Sequence, residues 1–339
     1  MVTAQAARLL TPEEIAVQAG QQVPFLRLPD PATLFAEREA RLRTLAAGHA
    51  TRDFLLFAAE LTRAQHALLQ RYPELPTPDA QAIEAAAQAG RPPLPALHWP
   101  RDAAWRRGLH DLLDELLPRL VGSPALGVVQ ALRAQGDAAL EQQADRLLSR
   151  TMRGLDLGAA PLIAAALQVY WTALVLQTEA TRLGGRPAPF GRTDDETRCP
   201  CCGSHPTASI SRIGADVSGY RYLHCSLCAA QWHMVRVKCA ACRGTKGIGY
   251  QSLEALPGHA LPATGAARDA VQAETCDVCS HYLKIVHMAK DAHVDPVADD
   301  LASVTLDLLV SDAGFQRQGV NLLLLFGDPE APPDPPPAP

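Results

Sequence analysis

Apolar positions in the first half of the chain recur at the three-to-four residue spacing of helices buried along one face. In residues 102–120 the stripe runs Trp105, Leu109, Leu112, Leu113, Leu116, Leu117 and Leu120. Residues 52–70 repeat it through Leu55, Ala58, Leu61, Gln65 and Leu68. Residues 33–47 carry Leu34, Phe35, Leu42 and Leu45 and end at Gly48, a residue suited to the left-handed position after a helix. Two more helices are expected at 124–134 and 136–152. Thr11-Pro12-Glu13-Glu14 reads as a further helix start, with Thr11 as cap and Glu14 closing a capping box. Pro-rich stretches at 73–78 and 90–100 supply the connections.

One segment departs from this amphipathic pattern. Ala159 to Leu176 is apolar except for Gln168 and Thr172, close to the length that crosses a membrane. It is Ala-rich, starts with Pro161 near its head and lacks a basic flank before it, which favours the central helix of a bundle. After Gly184-Gly185-Arg186-Pro187 the period changes from helical to short β-like runs. These fall at Thr207–Ile213, Tyr220–His224, Gln231–Lys238, Ile248–Leu253 and Tyr282–Val286. A last helix follows near 298–309, where Asp299, Asp300 and Asp307 are expected on a solvated face.

The cysteines change the picture of that second half. All nine lie between Cys199 and Cys279. Eight form four Cys-x-x-Cys pairs: Cys199/Cys202, Cys225/Cys228, Cys239/Cys242 and Cys276/Cys279. Two such knuckles make one tetrahedral four-sulfur site, so four make two sites. Pairing in chain order puts Cys199, Cys202, Cys225 and Cys228 on site 1 and Cys239, Cys242, Cys276 and Cys279 on site 2. A cross-brace, first pair with third, is the rival. Cys201 sits inside the first knuckle. Gly203 fits the turn that follows a second ligand, so Cys202 is the expected ligand and Cys201 a passive small residue. His205, His224, His233 and His281 lie nearby, but eight thiolates leave them as surface groups or neighbours of the ligands. Four thiolates suit zinc and a single iron equally in geometry.

The fold class expected is α+β: an N-terminal helical bundle, two zinc-ribbon or rubredoxin-like modules and a C-terminal helix. Its divisions are 1–187 for the helical domain, 188–235 and 236–295 for the two four-cysteine modules, 296–328 for the C-terminal helix and tail packing on the bundle, and 329–339 for a flexible Pro-rich tail. Such ribbons fold with their metal.

Charge and leader composition narrow the function. Thirty-one Lys+Arg against 36 Asp+Glu give a net charge of −5, which disfavours generic polyanion binding. Residues 199–290 alone hold nine basic and five acidic side chains, so a nucleic-acid-binding ribbon stays as an alternative. The first twenty residues carry Glu13 and Glu14 and no long apolar run, unlike a secretory signal. That points to a reducing compartment, where clustered cysteines bind metal more often than they form disulfides.

The strings around the knuckles carry more than spacing. Cys199-Pro-Cys-Cys-Gly-Ser-His-Pro, Arg221-Tyr-Leu-His-Cys-Ser-Leu-Cys with Trp232-His233, and Val235-Arg-Val-Lys-Cys239 resemble the formate dehydrogenase accessory family FdhE. So do Glu274-Thr-Cys-Asp-Val-Cys-Ser-His-Tyr-Leu-Lys284, Ala298 to Leu309 and the early Arg38–Leu45 helix. Cys201 departs from the usual filler of the first knuckle. The resemblance implies a cytoplasmic, non-enzymatic maturation factor that binds the catalytic subunit of formate dehydrogenase before export and holds iron in rubredoxin-like sites. No phosphate loop, nucleophile motif or open metal site competes with it. A rubredoxin-like electron-transfer role and a homodimer are both left open. Tyr282, Leu283 and Lys284, just past the last knuckle, are the expected partner-binding face, with Lys284 the side chain least expected to be buried.

Overall fold

The computed structural model describes residues 23–182, 188–213, 219–253 and 270–325. The helix start at Thr11, the break at 184–187 and the Pro-rich tail lie outside these residues. The helical domain follows the apolar pattern closely: α1 is Leu34–Ala46, α2 Arg52–Gln70, α4 Ala104–Leu116, α5 Ala125–Arg133, α6 Asp137–Ser149 and α7 Ala160–Ala180. A 3-10 turn over Leu117–Arg119 extends α4. The connection between 73 and 100 contains one helix that periodicity does not reveal, α3 at Ala80–Gln88. It starts where the Asp79 carboxylate accepts from the Ala82 N–H, and it buries no residue, so it leaves no apolar stripe to read.

α7 is the centre of the bundle and is buried along most of its length, which accounts for an apolar helix without a polar face. Its one central amide is satisfied on both sides. Gln65 Nε2 donates to Gln168 Oε1 at 2.9 Å, and Gln168 Nε2 donates to the Ser226 carbonyl at 2.8 Å. The bundle core is thereby hydrogen-bonded to the first cysteine region.

The described residues hold eight short strands: β1 Leu26–Arg27, β2 Pro206–Arg212, β3 Tyr220–Cys225, β4 Gln231–His233, β5 Ile248–Gln251, β6 Val271–Cys276, β7 His281–His287 and β8 Gln316–Arg317. They form a single sheet in the order β1-β4-β3-β2-β7-β6-β5, with β8 paired to β7. The two cysteine modules are therefore not separate ribbons. β2 and β7 pair in parallel, Ser209 with Ile285 and Ser211 with His287, and fuse them. The run expected to Lys238 stops at His233, because the chain then turns away toward Cys239. β1, from before the bundle, completes the other edge by pairing Leu26 with Trp232.

The C-terminal helix is two short helices, α8 at Ala298–Leu301 and α9 at Val304–Asp312. α8 lies against α1, whereas α9 packs on the sheet, where Leu306 and Val310 join Tyr222, Val271 and Val286 in a second core. The chain then runs along β2, and a Cβ on Gly319 would overlap the Thr207 carbonyl oxygen.

Two expectations are corrected here. Asp299, Asp300 and Asp307 are not a solvated face, being 1%, 1% and 5% exposed. Tyr282, Leu283 and Lys284 do not form an exposed face either, since each is 2% exposed. The cause is the position of α8 and α9 between α1 and the sheet, which turns these three acidic side chains inward onto cations. Arg41 binds Asp299 at 2.6 Å and Asp291 at 2.7 Å, and Arg38 binds Asp295 at 3.0 Å. Lys284 Nζ binds Asp300 at 2.9 Å and Asp307 at 2.6 Å, Arg317 shares both carboxylates, and the Tyr282 hydroxyl donates to Asp307 at 2.8 Å. Burial alone would raise the Asp300 carboxyl, but Arg317 and Lys284 hold it below its ordinary range.

Removing one partner from such a cluster leaves an uncompensated buried charge. Lys284→Met should therefore lower stability by about 3–5 kcal/mol in urea denaturation. A loss below about 1 kcal/mol, the scale of an exposed ion pair, would contradict the buried placement.

Candidate metal centres

All four Cys-x-x-Cys segments close on the same turn. The residue after the second cysteine takes a positive φ in each: Gly203 at 74°, Ala229 at 59°, Arg243 at 64° and Ser280 at 54°. The left-handed residue reverses the chain so that both sulfurs face one point. The Gly203, Arg243 and Ser280 N–H groups donate to the carbonyls of Cys199, Cys239 and Cys276 at 2.8, 3.0 and 2.8 Å. Further N–H groups point at sulfur: Leu227 and Cys228 at Cys225 Sγ (both 3.4 Å), and Ala241 at Cys239 Sγ (3.3 Å). Only the first knuckle has glycine at the turn. The other three hold a side chain in a conformation that costs about 1–2 kcal/mol each.

The knuckles bring the sulfurs together in chain order. Cys199, Cys202, Cys225 and Cys228 form one group, and Cys239, Cys242, Cys276 and Cys279 the other, all within 4.8 Å of one another. In site 1 the sulfurs are 3.6 Å apart for Cys199–Cys228, 3.5 Å for Cys202–Cys225 and 3.6 Å for Cys202–Cys228. In site 2 Cys239–Cys279 is 3.7 Å and Cys242–Cys276 is 3.8 Å. A tetrahedron with metal–sulfur bonds of about 2.3 Å has edges of about 3.8 Å, whereas a disulfide needs about 2.05 Å. The donor sets therefore fit a four-thiolate metal and not pairs of disulfides.

Cys201 belongs to neither group. Its sulfur is buried, and its carbonyl accepts from Leu94 N–H at 3.1 Å while that of Cys202 accepts from Ala96 N–H at 2.9 Å. The Pro-rich 90–100 connection thus docks the first knuckle onto the bundle. No histidine joins either group among the described residues. His224 is buried beside Arg38 and Gln231 rather than at the surface, His281 touches the Cys279 carbonyl at 2.7 Å, His233 lies edge-on to Tyr220 and Tyr222, and His205 meets Arg150.

The two centres differ in environment. The four sulfur residues of site 1 are at most 1% exposed and belong to the same core as the bundle, whereas in site 2 Cys242 is exposed and Cys279 half-buried. Burial and the neighbouring sulfurs push the Cys228 thiol well up. Cys199, although buried, is drawn well below its ordinary value by hydrogen bonds from Cys201, Cys202, Cys225 and Cys228. Burial likewise pushes Cys279 to about 12. Unaided, the protein cannot hold four thiolates together, and a bound cation reverses that balance.

Motif spacing does not reveal the ion pair that joins the two centres. Arg221, on the strand that ends at Cys225, binds Glu274, on the strand that ends at Cys276, at 3.0 Å with both side chains buried. Arg221 also donates to the Lys238 carbonyl, next to Cys239, at 2.8 Å. Both residues stand inside the strings that resemble a known family, which is the one signal that could have singled them out.

Comparison with known proteins covers nearly the whole chain. Family models for the FdhE N-terminal region, central domain and C-terminal domain match residues 23–185, 198–236 and 237–324. An FdhE homologue from Cronobacter sakazakii is 38% identical over 313 residues, covering 92% of this chain and 95% of its own. The Salmonella arizonae FdhE protein is 37% identical over the same length. The crystal structure of the FdhE protein from Pseudomonas aeruginosa superposes with a TM-score of 0.72 at 36% identity, covering 90% of this chain and all of that one.

The difference in burial predicts an order of metal loss. Under a chelator, site 2 should empty at least about tenfold faster than site 1, with Cys242 and Cys279 alkylated first by mass spectrometry. Equal rates would mean that burial does not control release. Cys201→Ala should retain two metals per chain by elemental analysis, and Cys202→Ala should lose the site 1 metal. The reverse pattern would make Cys201 the ligand.

Proposed function

This chain belongs to the FdhE family, and from that premise we propose that it is a binding factor in formate dehydrogenase maturation. In this reading it holds the immature catalytic subunit in the cytoplasm before export. The observation that carries the proposal is the closed donor set of each centre. Four cysteines would occupy all four positions around a tetrahedral metal, which would leave no site for substrate or water on it. Such centres shape and brace a surface. We assign iron to both in rubredoxin-like fashion, with zinc the alternative that the same donors accept. An iron centre would supply a one-electron couple, and the exposed Cys242 sulfur favours site 2 for any such exchange.

With Tyr282 and Lys284 buried, the contact face moves. Exposed apolar side chains cluster in sequence around the knuckles of site 2: Val235, Val237, Tyr250 and Val278, with Val237 at 65% and Val278 at 67%. Val278 lies between the ligands Cys276 and Cys279, and Val237 two residues before Cys239. A metal-braced knuckle that presents valines to solvent suits capture of the apolar surface of an unfinished subunit.

The test is co-purification with the catalytic subunit from anaerobic cells, alongside visible absorption and metal analysis. Wild-type protein should retain the subunit. Val237→Glu with Val278→Glu should weaken retention at least about tenfold while two metals per chain remain. Oxidised protein should absorb in the visible range, and a colourless protein with two zinc ions would overturn the iron assignment. If wild-type protein does not retain the subunit, and deleting it leaves formate-dependent dye reduction intact, the functional proposal is wrong.

A further inference from the structure

The bundle and the first knuckle do not close fully on each other. Between the end of α6, the 95–98 loop and residues 202–205 they leave a cleft of about 450 Å³ with Leu147, Leu148, Leu227 and Leu322 among its apolar walls. Its charged walls are Arg150 and Arg198, accompanied by His98 and His205, and no carboxylate lines it among the described residues.

Neither guanidinium has a carboxylate at hydrogen-bond distance among the described residues. Arg150 Nη1 lies 3.0 Å from His205 Nε2. A guanidinium can only donate, so that nitrogen accepts, the ring is neutral and its proton sits on Nδ1. Nδ1 is buried with no acceptor. No carboxylate stands within ion-pair distance of Arg150 among the described residues. Among the described residues Arg198 has only Asp195, 3.8 Å away and 58% exposed, and Asp195 is itself taken up by the Thr197 hydroxyl at 2.6 Å. Burial and Arg198 together press the Arg150 guanidinium downward, and burial with both arginines holds His205 at about 3. A cation after α6 is explained by the partial negative charge of the helix end. That leaves Arg198 unexplained, since it comes from the knuckle on the opposite wall. Two guanidiniums line one cleft with leucine walls, the charge and shape an anion needs.

We infer that this cleft is an oxyanion site, which takes a phosphate-class ion or the carboxylate of an acidic polypeptide segment between Arg150 and Arg198. The two candidates share the planar or tetrahedral oxygens that a guanidinium fork binds in pairs. The volume lies within the range of small-ligand sites, so a lone ion leaves space and a larger group can lay its body on Leu147 and Leu148. Cys202 lines the cleft, so the anion is held beside the first metal centre and across the seam between bundle and sheet.

Full-length, metal-loaded protein is titrated by calorimetry with inorganic phosphate, and separately with a glutamate hexapeptide, at constant ionic strength. At least one should saturate at one per chain. Arg150→Gln with Arg198→Gln should weaken it at least about tenfold, the loss of one charge-assisted hydrogen bond or more. Arg153→Gln, an exposed arginine outside the cleft, should leave it within about twofold. Saturation by phosphate alone assigns a free ion, and saturation by the peptide alone assigns an acidic segment. If the double variant loses metal or helical circular dichroism, Ser149→Asp replaces it, since it sets a competing carboxylate on an exposed wall position. Failure of both probes to saturate, an equal effect of Arg153→Gln, or no effect of Ser149→Asp would overturn the inference.

Discussion

Four thiolates within 4.8 Å of one another would repel, and burial would make the repulsion worse, so each cluster can keep its sulfurs ionised only around a cation. At site 1 this constraint reaches the whole molecule, because its cysteines share one core with α4 and α7 of the bundle. Gln168 reaches the Ser226 carbonyl, and the 94–96 segment holds the carbonyls of Cys201 and Cys202. Metal affinity of structural four-ligand sites is about 10–16 kcal/mol, as large as the total stability of a domain. A metal at site 1 would therefore fix how the bundle meets the sheet as well as how one ribbon folds.

The second constraint is charge in the interior. Arg38 and Arg41 on α1 reach Asp295, Asp299 and Asp291, roughly 250 residues later in the chain, and Lys284 and Arg317 share Asp300 and Asp307. Hydrophobic residues would bind these surfaces at least as tightly. Paired charges add direction, because a carboxylate left without its guanidinium costs several kcal/mol. The C-terminal segment is thus held in one register between α1 and the sheet. With β2 paired in parallel to β7, the two cysteine modules and the bundle form one interlocked body.

Within that body the two metal centres sit unequally. Site 1 faces inward and carries the oxyanion cleft on its bundle side, while site 2 presents a sulfur and several valines outward. The buried Arg221–Glu274 pair spans them, anchored on the strands that deliver Cys225 and Cys276. One centre joins the structural halves, and the other stands at the surface.

The amino-acid sequence by itself determined the helices of the bundle, the buried character of α7 and the four Cys-x-x-Cys knuckles, while the choice between chain-order pairing and a cross-brace fell to the fold. Each rests on local information: an apolar stripe at helical period, a run without a polar face, or the geometry of Cys-x-x-Cys. α3 was hidden because an exposed, Ala-rich helix leaves no stripe. The tertiary structure alone decided the fusion of the ribbons, since strand pairing between β2 and β7 is chosen among surfaces far apart in the chain. It also decided the fate of the charges. Lys284, Asp299, Asp300 and Asp307 look solvated because ionised side chains are costly to bury alone, and whether each has a partner depends on residues many positions away. The one local hint was α1, where Arg38 and Arg41 stand on the same face as Phe35, Leu42 and Leu45. An arginine inside an apolar stripe already asks for a buried carboxylate, but only the fold says which.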